Sequence, residues 1–228
     1  MKRAATDTRT QKGRLWSGFK NMASTLVFVW LITHHIAQAT VVPTESMAPT
    51  ILVGDHFFLD KVAFPANYPH ALQKFLPSRT IRRGEILAFW SPQDPNTRLV
   101  KRVIGLPGET IEIRDRHVYI NNEKLTENYA VFTDSRNIPR RDTMAPITIP
   151  ADSFFMMGDN RDNSNDSRFW GFARREELIG TPLFVYWSYD GGPYQPNMTL
   201  KDYARDYASI ATHFFTNTRW FRTGTLVK

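Results

Sequence analysis

Cysteine is absent from the 228 residues. Disulfides, thiol nucleophiles and cysteine-based zinc sites are therefore excluded. Compartment is left open, because many exported proteins carry no disulfide. Charge is missing from one stretch: no Asp, Glu, Lys or Arg occurs between Asn21 and Thr44. Long apolar runs are scarce even there. The longest is Leu26–Ile32, and Thr33, His34, His35 and Gln38 interrupt the residues beyond it. No low-complexity tract or repeat of solenoid length occurs. The 14 Pro and 12 Gly are scattered, which suits a turn-rich β domain better than a helical bundle. With 42% hydrophobic residues, the chain has enough apolar matter for a real core.

The net charge of +7 is concentrated at one end. Lys2, Arg3, Arg9, Lys12, Arg14 and Lys20 face only Asp7 in the first twenty residues. A nucleic-acid groove needs its cations spread over a folded face, so no nucleic-acid partner is expected. The uncharged span Met22–Val42 has about the length (~20 residues) that crosses a bilayer as a helix. Its basic flank puts the N-terminus in the cytoplasm by the positive-inside rule. The expected organisation is a cytoplasmic segment at 1–21, an anchor at 22–42 and an extracytoplasmic domain at 43–228. A secretory leader cut after Ala37-Gln38-Ala39 fits the same residues, and it too exports the body of the chain.

Beyond the anchor, short apolar runs replace helical spacing. His56–Asp60, Glu85–Trp90, Arg98–Ile104, Thr110–Ile113, His117–Ile120, Phe154–Met157 and Pro182–Trp187 read as strands between turn residues. Thr110–Ile120 reads as a hairpin centred near Asp115, and Asn121-Asn122 as a tight turn into a further short strand. Arg174–Ile179 reads as one or two helical turns. Residues 61–84 and 124–148 are polar, contain proline and read as surface excursions. The tail from Lys201 is ambiguous: Tyr203, Tyr207 and Ile210 recur at near-helical spacing. The fold expected is mainly β, an irregular and largely antiparallel domain behind a single N-terminal transmembrane helix.

Three clusters carry candidate chemistry. In Pro43-Thr-Glu-Ser46-Met-Ala-Pro49, two prolines hold a serine on a stiff loop just past the anchor, a good mount for a nucleophile. By itself, a serine between prolines is most often a surface turn. In Arg98-Leu-Val-Lys101-Arg-Val-Ile-Gly-Leu-Pro107-Gly108, strand alternation puts Lys101 on the face of Leu99 and Val103. A lysine there loses hydration, its pKa falls, and it can serve as a base near neutrality. A lone lysine more commonly snorkels to water. The third cluster, Gly158-Asp-Asn-Arg-Asp-Asn-Ser164-Asn-Asp166-Ser-Arg168-Phe-Trp-Gly171, has no apolar side chain from Gly158 to Arg168, yet apolar strands flank it. A packed polar network, with Asp166 and Arg168 paired, accounts for such density.

Together with Arg83-Gly84-Glu85-Ile-Leu-Ala-Phe89, these stretches resemble the boxes of bacterial type I signal peptidases, in the family's order. The resemblance implies Ser46 as nucleophile and Lys101 as general base, with Ser164 hydrogen-bonding and orienting the lysine. It implies an oxyanion hole from the Ser46 amide and the Thr44 hydroxyl, and structural support from Asp159, Asp166 and Arg168. Val42, Pro43, Met47, Ile51, Leu99 and Val100 fall at substrate-contacting positions that accept small side chains such as alanine. The implied activity is removal of signal peptides from preproteins after Ala-x-Ala sites, by a monomer in the bacterial plasma membrane. Preproteins and membrane lipid are its expected partners, and it needs no metal or cofactor. Glu85 and Glu109 stand where Asp is usual, conservative changes expected at the surface. Glu45 adds a charge where Gly is common, and Thr44 adds a methyl where Ser is common.

Other readings fit less of the chain. A Ser-His-Asp triad needs one of six His, of which only His56 adjoins a motif. No His pair shows metal-ligand spacing. A non-catalytic binding domain would not require Ser46, Lys101 and Ser164 together. A self-cleaving repressor would need a DNA-binding helix pair, which is missing, and a conjugative-transfer peptidase would not require the full Gly158–Gly171 match.

Overall fold

The computed structural model describes residues 3–62, 64, 67–68, 71, 75, 79–191 and 199–228. A first helix, α1 (Arg3–Leu31), continues through a wider π-helical turn, Ile32–Ile36, which meets the body of the chain where His35 stacks on Tyr68 and the Ile36 carbonyl accepts Lys61 N–H (2.9 Å). The segment Gly13–Ile36, of hydropathy 1.2, is long and apolar enough to cross a membrane. The expected helical span to Val42 is too long at its C-terminal end. Ala37–Val41 is instead a strand, β1, paired antiparallel with β2 (Asp55–Asp60). A partner strand offers these backbone groups a ladder, and β-branched Thr40 and Val41 fit it better than a further helical turn.

The remaining strands are β3 (Ile86–Trp90), β4 (Arg98–Gly105), β5 (Thr110–Arg114), β6 (His117–Ile120), β7 (Glu123–Lys124), β8 (Met144–Thr148), β9 (Ser153–Met157), β10 (Ala173–Arg174) and β11 (Leu178–Ser188). They form a seven-stranded sheet, β1-β2-β11-β3-β4-β9-β10, and a four-stranded sheet, β7-β6-β5-β8. Every pairing between these strands is antiparallel, so the mainly β, antiparallel expectation holds.

Alternation explains how three apolar clusters form from short strands. On β3, Ile86 and Ala88 face one cluster with Val42, Met47, Ile51, Phe57 and Val185. Leu87 and Phe89 face a second with Val103, Phe154 and Met156. On β9, Phe155 and Met157 face a third, with Ile111, Ile113, Val118 and Ile120 of the smaller sheet. Each fully buried Leu, Ile or Phe contributes roughly 1.5–3 kcal/mol. The two turns of the small sheet are left-handed at both central residues, Asp115-Arg116 and Asn121-Asn122. That twist matches two-residue hairpins.

One segment is more structured than expected, and another holds the helical turn expected of it. Residues 124–148 run mostly over the surface but carry regular structure: β8 pairs with β5, and a short helix, α2 (Pro139–Asp142), buries Arg141 and Asp142. Polar side chains can be buried when they pair with one another, and Arg141 and Asp142 do so at 2.8 Å. Arg174–Ile179 holds a single 3-10 turn, Arg175–Glu177, before β11 begins at Leu178. Nearly half of the excursion expected at 61–84 lies outside the described residues; of the rest, Lys61, Phe64 and Ile81 are buried. A short helix, α3 (Ser167–Trp170), lies between β9 and β10. After β11 the chain forms α4 (Leu200–Asn217), with Thr199 and Asp202 capping each other.

Candidate active site

Ser46 sits on a loop that leaves β1 and returns as β2. The loop is closed at its neck by Val42 N–H to the Asp55 carbonyl (3.4 Å) and Gly54 N–H to the Val42 carbonyl (3.3 Å). Within it, Glu45–Met47 make one 3-10 turn. Met47 and Ile51 are both 0% exposed and pin the turn from beneath. Ser46 lies in the turn's opening residues, where amides have no partner inside the helix. Its side chain is buried, with the residue 6% exposed.

Lys101 lies in the middle of β4, opposite Leu87 of β3. It is 3% exposed, and its Nζ donates a hydrogen bond to Ser46 Oγ. Among the described residues it has no ion-pair partner. Burial pushes its pKa down to about 8, because the charged form loses hydration. The Asp166 carboxylate opposes that shift, Arg168 reinforces it and Asp159 opposes it in turn. The result is an amine that changes charge near physiological pH beside a hydroxyl 55 positions earlier in the chain. Thr44 Oγ1 is 3.3 Å from Ser46 Oγ, on the exposed side.

The loop from Gly158 to Arg168 frames this pair. Asn160 N–H donates to the Ser46 carbonyl (3.1 Å), and Asn160 Nδ2 donates to the Glu45 carbonyl (3.3 Å). A Cβ on Gly158 would overlap both the Ser46 carbonyl oxygen and Ser164 Oγ, so the two backbones meet only because this residue is glycine. Asp166 caps α3 and is gripped by the Arg168 guanidinium, with Nε to Oδ1 and Nη2 to Oδ2 both at 2.8 Å. It also accepts Gly158 N–H at 3.1 Å. The expected Asp166–Arg168 pair is therefore present and buried.

Asp159 is held by Arg102, from Nε at 2.8 Å and Nη2 at 2.6 Å, and accepts Thr50 Oγ1 at 2.6 Å. Arg102 was missed in the sequence. Alternation puts it on the face opposite Lys101, and the charged head of an arginine ordinarily reaches solvent. Glu127 was missed as well: it pairs with the buried Arg161 (2.5 Å) from within the supposed excursion. Asp55, the first residue of β2, was not singled out, yet it is fully buried and paired with Arg222 (2.5 Å).

Some expectations fail. Ser164 is buried close by, but among the described residues its Oγ has no hydrogen-bond partner, so the expected bond to Lys101 is not formed. Met47 and Ile51 are fully covered and present no surface to a substrate. Their apolar side chains serve the core beneath the loop instead. Leu99 and Val100 are half-buried and pack on different clusters, as alternation requires, while Val42 is buried and Pro43 exposed. Glu85 and Glu109 are not free surface acids. They pair with Arg79 (3.0 Å) and Arg83 (2.6 Å). Glu45 is exposed and its carboxylate accepts Asn163 Nδ2 at 3.2 Å. Among the described residues, no group of three or more His, Asp or Glu side chains is placed to hold a metal ion.

A family model described as signal peptidase, peptidase S26, matches residues 15–187. The chain belongs to the peptidase S26 family of signal peptidases. A signal peptidase I of Leptolyngbya laminosa is 36% identical over 180 residues, covering 76% of this chain and 80% of that protein. A probable signal peptidase I of Synechocystis is 31% identical over 74% of this chain and 71% of its own. The signal peptidase I of Pseudomonas aeruginosa is 32% identical over 71% and 65% respectively. A solved signal peptidase I from Enterococcus faecalis is 36% identical over 45% of this chain and 97% of its own, with a TM-score of 0.37. As a family member, this chain is a peptidase, and the long apolar helix near its N-terminus is compatible with membrane anchoring.

Proposed function

We propose that this signal peptidase is a serine endopeptidase that cuts exported preproteins after Ala-x-Ala sites, through an acyl-enzyme on Ser46 with Lys101 as its base. The observation that carries the reading is the direct contact between Lys101 Nζ and Ser46 Oγ inside a buried setting. When Lys101 is neutral, its lone pair can accept the Ser46 proton along that same line. Ser46 Oγ then bonds to the scissile carbonyl carbon. The Ser46 amide and Thr44 hydroxyl would hold the resulting oxyanion. Collapse breaks the carbon–nitrogen bond, and the leaving amine takes the proton from the Lys101 ammonium. Water, deprotonated by the same amine, attacks the ester and frees Ser46.

Asp159, Asp166 and Arg168 act as supports, since their pairs fix the loop that contacts the Ser46 carbonyl. Val42, Pro43, Leu99 and Val100 are the residues proposed to meet the substrate, with Met47 and Ile51 shaping the surface from below. The basic N-terminus would stay in the cytoplasm, α1 would span the plasma membrane, and residues from Ala37 onward would lie outside, where preproteins emerge. The test is cleavage of a purified preprotein bearing an Ala-x-Ala site. The wild-type chain should release the leader, while Ser46→Ala and Lys101→Met should not. Full activity in either variant would overturn the dyad.

A further inference from the structure

The family match ends at residue 187, yet the chain after it returns to the Ser46 loop. Asp55 is fully buried at the base of that loop. Its carboxylate accepts Leu52 N–H (2.8 Å), Ser188 Oγ–H (2.7 Å) and both arms of the Arg222 guanidinium, with Nε at 2.9 and 3.0 Å and Nη2 at 2.5 Å. Arg222 Nη2 also donates to the Thr50 carbonyl at 3.0 Å. One planar cation therefore ties the base of the loop to its middle. Thr50 is gripped a second time, by its hydroxyl, on the Asp159 carboxylate that also binds Arg102.

Neighbouring tail residues act on the same loop. Arg219 Nη2 donates to the carbonyls of Val53 and Tyr189. A Cβ on Gly54 would overlap the Tyr189 carbonyl oxygen, so the loop base and the end of β11 are in backbone contact. Val227 packs in the same cluster as Val42, Met47 and Ile51.

We infer that Arg222 is a positioning residue: its bidentate grip on Asp55 and the Thr50 carbonyl sets where the Ser46 turn stands relative to Lys101. The inference rests on the proposed Ser46–Lys101 reading. A lysine at 222 would keep Asp55 paired but, being a point charge, cannot hold the two acceptors in one plane. Arg222 is not among the charges that shift Lys101, so its loss should leave the lysine's titration in place.

The experiment compares full-length wild type, Arg222→Lys and Arg222→Ala on an Ala-x-Ala preprotein, with rates normalised to molecules whose Ser46 reacts with a covalent serine inhibitor. Misplacement of reacting groups by about 1 Å costs roughly 100-fold. The expected result is a kcat about 10-fold lower in Arg222→Lys and about 100-fold lower in Arg222→Ala. KM should stay within about twofold and the pH midpoint should not move, as befits positioning alone. Added guanidinium ion should restore part of the Arg222→Ala rate. Arg222→Lys keeps Asp55 paired, so it is the informative variant if Arg222→Ala does not fold. Wild-type kcat per reactive Ser46 in Arg222→Lys, a loss explained entirely by fewer reactive molecules, or a shifted pH midpoint at full plateau would each overturn the inference. Ser46→Ala and Lys101→Met run alongside. If they are active, the dyad reading has failed; if they are inert and Arg222→Lys is normal, only the role of Arg222 has.

Discussion

Titrating the enzyme across pH 6–10 probes the buried amine through its charge. Burial moves the Lys101 pKa from the ordinary 10.5 to about 8. At pH 7 an unperturbed lysine is neutral in about one molecule in 3,000, and one with a pKa of 8 in about one in ten, a gain of roughly 300-fold in competent base. Measured as kcat/KM on a fluorogenic peptide with an Ala-x-Ala site at constant ionic strength, activity should climb close to tenfold per pH unit from 6 to 7.5. It should bend near pH 8 and reach a plateau by about 9. Stability carries the same signature with a definite sign. Because the folded pKa lies below the unfolded one, the unfolded chain binds the extra proton between about pH 8 and 10.5. The Lys101 contribution to stability therefore rises with pH across that window, by about 3 kcal/mol at most, and is flat below it. A rate that falls as pH rises from 6 to 8, or a limb with its midpoint near 10.5, would refute the reasoning.

Substitutions at three positions separate the parts of the site. Thr44→Val removes one proposed oxyanion donor and should lower kcat by about 100-fold with little change in KM, while Thr44→Ser should restore it; equal rates in both variants would remove Thr44 from the hole. Ser164→Ala deletes a buried hydroxyl without a partner among the described residues, so its unfolding midpoint in urea should be unchanged or raised. A large drop in that midpoint would reveal a bond the hydroxyl makes in solution. Gly158→Ala pushes a methyl into the Ser46 carbonyl and Ser164, and its kcat should fall at least 100-fold; a wild-type rate would mean the Gly158–Ser46 contact is loose.

How much of this was legible depended on whether a residue's partner was near in sequence. The strands around β3, β4 and β9 announced themselves because each is a short apolar run bounded by turns, and Asn121-Asn122 because its residues tolerate left-handed backbone. Ala37–Val41 read as the end of a membrane helix, since only pairing with β2, across the Ser46 loop, makes it a strand. Glu127 looked solvent-exposed because composition cannot show that it meets the buried Arg161, 34 positions on. Tyr203 and Tyr207 lie at helical spacing in α4 but are 45% and 71% exposed. Their periodicity is therefore no sign of a buried stripe. Ser46 and Lys101 were found through the resemblance of their flanking boxes. Alternation alone placed Lys101 on an apolar face but offered no route to a serine 55 residues away.

The most direct test of the proposed chemistry is rapid acid quench of wild-type enzyme and preprotein, followed by peptide mapping by mass spectrometry. The account predicts a transient ester between the leader's C-terminal residue and the peptide that contains Ser46, formed faster as pH rises through 8. Turnover with no adduct on any peptide in single-turnover conditions, or an adduct on a different side chain, would contradict it.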